Sequence, residues 1–60
     1  MNPENLTKAI HDAAFLLSDL HAAQNDAAAS HPEIAALLEE LWNQACEIKY
    51  RLHKIVQALP

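Results

Sequence analysis

The chain has no glycine, one cysteine and three aromatic side chains among its 60 residues. Without glycine it lacks the residue that tight turns and phosphate-binding loops use for positive backbone dihedral angles. Cys46 has no second cysteine with which to form an internal disulfide, which fits a reducing, cytoplasmic setting. A chain this short usually needs a stabiliser beyond its own core, and the sequence favours oligomerisation.

Positive charge and long apolar runs are also scarce. Four Lys and Arg stand against eight Asp and Glu, so the net charge is −4 with neutral histidines. Nucleic-acid binding depends on neutralising phosphates, so this balance argues against a nucleic-acid partner. The apolar run 13–17 is far shorter than the roughly 20 residues of a membrane span. This short run predicts no membrane partner. The first four residues lack the basic and apolar regions of a signal peptide, which fits a cytoplasmic setting.

Two heptad stripes, separated by one break, dominate what is present. In each stripe the residues step alternately by four and three, the spacing of a coiled-coil seam. The stripes are Leu6, Ile10, Ala13, Leu17, Leu20, Gln24 and Ala27, then Ile34, Leu38, Leu41, Ala45, Ile48, Leu52, Ile55 and Leu59. We predict that the large apolar members form the hairpin or dimer core: Leu6, Ile10, Leu17, Leu20, Ile34, Leu38, Leu41, Ile48, Leu52 and Ile55.

Start signals set the bounds of two long helices. Asn2 can cap the first helix, and Pro3 suits its first position, which predicts a helix over about 3–28.

The second start has two interpretations. Ser30 and Glu33 fit a capping box, whereas the restriction on a residue before proline favours His31 as the cap and Pro32 as the first helical residue. This helix is predicted over about 32–58. The short connection makes the helices antiparallel neighbours, and the charged pair Glu47 and Arg51 supports the second helix at i,i+4 spacing.

Apolar residues beside the stripes indicate a second neighbour for each helix. They are Ala9, Leu16 and Ala23 in the first helix and Leu37, Trp42 and Val56 in the second. Residues at such flanking heptad positions mark a helix that meets two others. We therefore predict an all-α, single-domain fold over residues 1–60, an antiparallel hairpin that dimerises into a four-helix bundle.

The ends of this hairpin differ in charge. Lys8, Lys49, Arg51 and Lys54 lie toward the open end, and Asp19, Asp26, Glu33, Glu39 and Glu40 lie toward the turn. Stacking with the two turns at opposite ends would place basic ends beside acidic ends, and this is the arrangement expected from charge alone.

Phe15 is the leading candidate for binding a larger protein. It lies opposite the first stripe, near His11 and Asp19, and an exposed aromatic side chain rimmed by polar groups resembles an interface hot spot. The alternative is an isolated surface residue. Trp42 flanks the second stripe and suits either the interface between hairpins or a partner. Tyr50 lies at an outer position, as a solvated tyrosine or a contact residue.

No residue cluster calls for catalysis, a metal or a cofactor. Glu39 and Glu40 are adjacent and diverge around the helix, so they are not a carboxylate pair. Cys46 and His53 are two helical turns apart, too far for a nucleophile and its base or for a shared metal. The other histidines, His11, His21 and His31, are isolated.

In helix number, helix length and alanine-rich layers, the predicted architecture resembles the RNA-one-modulator (Rop) proteins, dimers of helical hairpins. That resemblance implies binding to paired RNA loops, for which the chain has few positive charges. A homodimeric protein-interaction module is the main hypothesis: a cytoplasmic adaptor or inhibitor, such as a bacterial, plasmid or phage accessory regulator. A secretion co-chaperone, pairing with a different helical protein, is a further alternative.

Overall fold

The structure, a computed structural model, describes residues 3–59. Within that range it contains two helices and no strand: α1 is Pro3–Ala28 and α2 is Pro32–Ala58. The predicted all-helical, two-helix class and both helical ranges are confirmed. The cap predicted at Asn2 lies outside the described residues.

α2 begins at the position that proline restriction predicts. His31 is the N-cap, with φ −138° and ψ 69°, and Pro32 follows in the first helical turn. The His31 carbonyl accepts the backbone N–H groups of Ile34 and Ala35, each at 3.0 Å. No side-chain hydrogen bond caps this end, so the structure selects His31 over the capping-box alternative.

The turn is built without glycine. The Ala27 carbonyl accepts the N–H of Ser30 at 3.2 Å and that of His31 at 2.7 Å, which closes the last turn of α1. Among residues 3–59 no backbone has a positive φ, so the turn does not require the residue that the chain lacks.

The two helices pack side by side into a narrow rod. Its principal extents are 48 × 15 × 11 Å, and its radius of gyration of 14.1 Å exceeds the value of about 10 Å for a compact chain of this length. Ala35 and Ala45 are the two residues in the described range that are buried. Both are small, which allows the helix backbones to approach closely.

Enlarging the central alanine should force the helices apart. Ala45 is 5% exposed, so Ala45→Leu should destabilise the protein by about 1–3 kcal/mol through overpacking. Ala36 is exposed on the same helix, and Ala36→Leu should change the unfolding free energy by no more than about 0.5 kcal/mol. Urea denaturation of both variants tests this, and equal effects would contradict the assigned seam.

Candidate functional site

The stripe of α1 faces α2 along its whole length. Every member is half-buried, and these residues form the α1 seam: Leu6, Ile10, Ala13, Leu17, Leu20, Gln24 and Ala27. Since α2 is the other helix of the described chain and the two pack together, this burial comes from the contact between them. The helix is otherwise exposed except at Ala9, which is also half-buried.

The stripe predicted for α2 divides into two rows. One row of the stripe turns toward α1, namely Leu38, Ala45 and Leu52. Three residues that follow members of the other row also turn toward α1, namely Ala35, Trp42 and Lys49. We call these six residues the α2 seam, and all are buried or half-buried. The second row, Ile34, Leu41, Ile48 and Ile55, remains exposed. α1 therefore does not bury these four residues, and their predicted burial in a core stays a prediction for a dimer.

The exposed row of α2 lies on the same side of the hairpin as a row of α1. Ile34, Leu41 and Ile48 each precede a seam residue of α2 by one position, as Leu16 and Ala23 do in α1. One residue is a rotation of about 100° around a helix, and equal rotations on antiparallel neighbours lead to the same face. We call this side the apolar face: Ala9, Leu16 and Ala23 with Ile34, Leu41, Ile48 and Ile55.

The opposite side of the hairpin is polar. At the matching offset after the seam, α1 carries Thr7, Ala14 and His21, and α2 carries Glu39, Cys46 and His53. Cys46 is half-buried there, and its thiol is free. The hairpin is therefore two-sided, with apolar side chains on one flank and mainly polar ones on the other.

The exposed surface is larger than a folded chain of this mass requires. The protein exposes 4590 Å², whereas the size relation for monomeric proteins gives about 3,900 Å² for 6.7 kDa. The excess is close to the roughly 800 Å² that each partner buries in a standard interface. No large side chain of the described residues is fully buried, so the hairpin by itself has little core.

Phe15 lies on neither face. It is 68% exposed on the side of α1 that is turned away from α2. Its helical neighbours His11, Asp19 and Ser18 are also exposed. A phenylalanine in this setting exposes apolar area that its own chain does not cover, and it remains a candidate anchor for another protein.

The other two aromatic candidates differ from each other. Trp42 is half-buried in the α2 seam, so its own hairpin covers part of the ring. Tyr50 is 57% exposed, and the Lys54 ammonium lies 5.3 Å from its ring centroid. This is the distance of a cation–π contact, and more than half of the tyrosine remains exposed at the surface.

The fixed positive charges do not form one basic surface. Lys8 donates to Asp12 at 2.8 Å, and Arg51 donates from Nε to Glu47 at 3.0 Å, which confirms the predicted i,i+4 pair. Lys49 is half-buried in the seam. The hydrogen bond and the charge of Asp12 raise the pKa of Lys8 above its usual value, which favours the charged ammonium. The side chains of these ion pairs are exposed, and each pair adds little stability.

Over residues 3–59 no three His, Cys, Asp or Glu side chains are grouped closely enough to hold a metal ion. His31 Nδ1 lies 3.9 Å from a Glu33 carboxylate oxygen, a contact that is ionic only when the imidazole is protonated. Neither described helix has a segment long and apolar enough to span a membrane.

Comparison with known proteins found no matching family model, no matching curated protein and no matching solved structure.

Proposed function

We propose that the protein is a small, non-enzymatic protein-interaction module, which forms a homodimeric four-helix bundle and acts as an adaptor or inhibitor of a larger protein. The observation that supports the proposal is the apolar face, an uncovered heptad row on a hairpin that buries two alanines. A second copy of the chain presents the same apolar face, and closed two-fold dimers are the commonest oligomers.

The surface outside that interface would then serve the larger protein. In a bundle formed through the apolar face, Phe15 stays on the outside of α1 with His11, and Tyr50 stays on the outside of α2. Asp19 lies between Phe15 and the edge of the apolar face. An exposed aromatic anchor suits an accessory regulator that masks or tethers a protein in the cytoplasm. RNA binding is disfavoured because Lys8 and Arg51 are engaged in ion pairs, and Lys49 is half-buried.

Sedimentation equilibrium tests the dimer directly. At micromolar concentration the protein should have about twice the mass of the chain, with a helical circular-dichroism spectrum. Its melting temperature should rise with protein concentration because dissociation is coupled to unfolding. A monomer with a sharp, concentration-independent transition would sink the four-helix model. A monomer that is poorly folded alone would favour pairing with a different helical protein, as in a secretion co-chaperone.

A further inference from the structure

We propose that the second copy packs on the apolar face with both turns at the same end, so that α1 of each hairpin lies on α2 of the other. This inference rests on the proposed homodimer and adds its arrangement. It differs from the opposite-end stacking that the charge of the two ends favours. The difference arises because the row of α2 that packs on α1 determines which residues border the apolar face.

Two-fold symmetry leaves two ways to stack two antiparallel hairpins through one face. With the turns at opposite ends, α1 lies on the partner's α1 and α2 on the partner's α2. With the turns at the same end, each α1 lies on the partner's α2. The residues along the outer edges of the apolar face distinguish them, because these edges meet across the interface.

The two edges differ in charge. Beyond Leu16 and its row, the outer edge of α1 carries Asp12, Asp19 and Asp26, all exposed and spaced by seven. The outer edge of α2, beyond Leu41 and its row, carries Leu37, Gln44 and Arg51, also exposed and spaced by seven. The sequence pattern alone did not single out Asp12 or Gln44, since their place at an edge depends on where the seam lies.

Same-end stacking brings these two edges together. Because Ala28 and Pro32 flank the turn, residues whose numbers add up to about 60 lie at one level along the hairpin. By that rule Asp12 lies at a level between the partner's Gln44 and Arg51, slightly nearer Arg51. Asp19 lies between the partner's Leu37 and Gln44, slightly nearer Gln44, and Asp26 lies nearest the partner's Leu37. Asp12 already accepts a hydrogen bond from Lys8 of its own chain, and the partner's Arg51 adds a second positive charge near it. The symmetry repeats this arrangement on the other side of the dimer. Arg51 uses Nε for Glu47, and a guanidinium has further N–H donors for a second carboxylate.

Opposite-end stacking would place like charges together. The edge of α1 would meet itself in reverse, with Asp12 beside the partner's Asp19 and Asp19 beside the partner's Asp12. Like charges set against each other across an interface oppose that packing, and the ion pair with Lys8 offsets only the charge of Asp12. The acids Glu33 and Glu40 weigh less in either arrangement, because they lie on the side of α2 turned away from α1 and outside the apolar face.

The apolar rows also fit the same-end arrangement. Leu16 comes to the level between the partner's Leu41 and Ile48, while Ala9 and Ala23 meet the partner's larger Ile residues. Each layer then combines smaller with larger side chains and keeps the helix spacing even. In opposite-end stacking, alanines would meet alanines between the α1 helices, and Ile and Leu would crowd between the α2 helices.

Disulfide trapping distinguishes the arrangements. In a Cys46→Ser background, a chain with both Asp19→Cys and Gln44→Cys should oxidise to a covalent dimer, because Gln44 is the residue of the partner's edge nearest to Asp19. Within one chain these two positions lie at opposite edges of the face, so they should not join. Gln44→Cys alone should stay monomeric on a non-reducing gel. The matched control pairs Asp19→Cys with Asn43→Cys, one residue away on the polar side, and should also stay monomeric.

The other outcomes overturn the proposal at different levels. A covalent dimer from Gln44→Cys alone would establish turns at opposite ends. Equal cross-linking in the Asn43→Cys control would refute the assignment of the apolar face as the dimer interface. A non-covalent dimer by sedimentation with no disulfide in any variant would refute the arrangement and leave the homodimer standing. A monomer by sedimentation in the Cys46→Ser background would refute the homodimer as well.

Discussion

Replacing Leu41 or Ile48 with alanine should destabilise the protein by about 2–5 kcal/mol, the range of a well-packed core position. In the single chain these side chains are 49% and 56% exposed, and truncation of such a site should cost far less. The large effect follows from the dimer, in which the exposed row of α2 becomes part of the bundle core. In a dimer of modest stability, either substitution should dissociate or unfold the protein.

Tyr50 provides the matched control for this measurement. It lies on the same helix with a similar exposure of 57%, but outside the apolar face. Tyr50→Ala should change the unfolding free energy by no more than about 0.5 kcal/mol. Chemical denaturation should be followed at two protein concentrations, since loss of the dimer also removes the concentration dependence. A loss below about 1 kcal/mol for Leu41 and Ile48 would mean that no second copy covers the row.

The helical ranges could be predicted because local chemistry sets them. Pro3 and Pro32 suit first helical positions, and no glycine or internal proline interrupts the residues that follow. The α1 seam could also be predicted, since α1 has one heptad stripe and every member of it is half-buried against α2. At that level, sequence and packing agree.

The α2 seam could not be predicted in the same way. Hydrophobicity favours the row that contains Leu41 and Ile48, whereas α1 packs on the row with Ala35, Trp42 and Lys49. Small residues such as Ala35 permit close approach of two backbones, and the aliphatic stem of Lys49 can cover apolar surface while its ammonium reaches water. When a helix has two apolar rows, its sequence does not show which neighbouring helix each row contacts. That choice decides what remains exposed and hence where the candidate surface lies.

Phe15 should contribute to partner binding and not to folding. It lies on the side of α1 away from both the seam and the apolar face, so neither the hairpin nor the proposed dimer covers it. Phe15→Ala should change stability by no more than about 0.5 kcal/mol. Loss of an aromatic hot spot should weaken the complex with the larger protein by about 2 kcal/mol or more, roughly thirtyfold in affinity.

Leu16, the next residue along the chain, makes the comparison sharp. It belongs to the apolar face, so Leu16→Ala should destabilise the dimer, while Phe15→Ala should spare it. The decisive experiment measures thermal melting and partner affinity for both variants, with a partner isolated from the native host using the wild-type protein. A sharp fall in melting temperature for Phe15→Ala would place this side chain in a core. If neither quantity changes, Phe15 is not the anchor, and Tyr50, the other largely exposed aromatic residue in the described chain, becomes the next residue to replace.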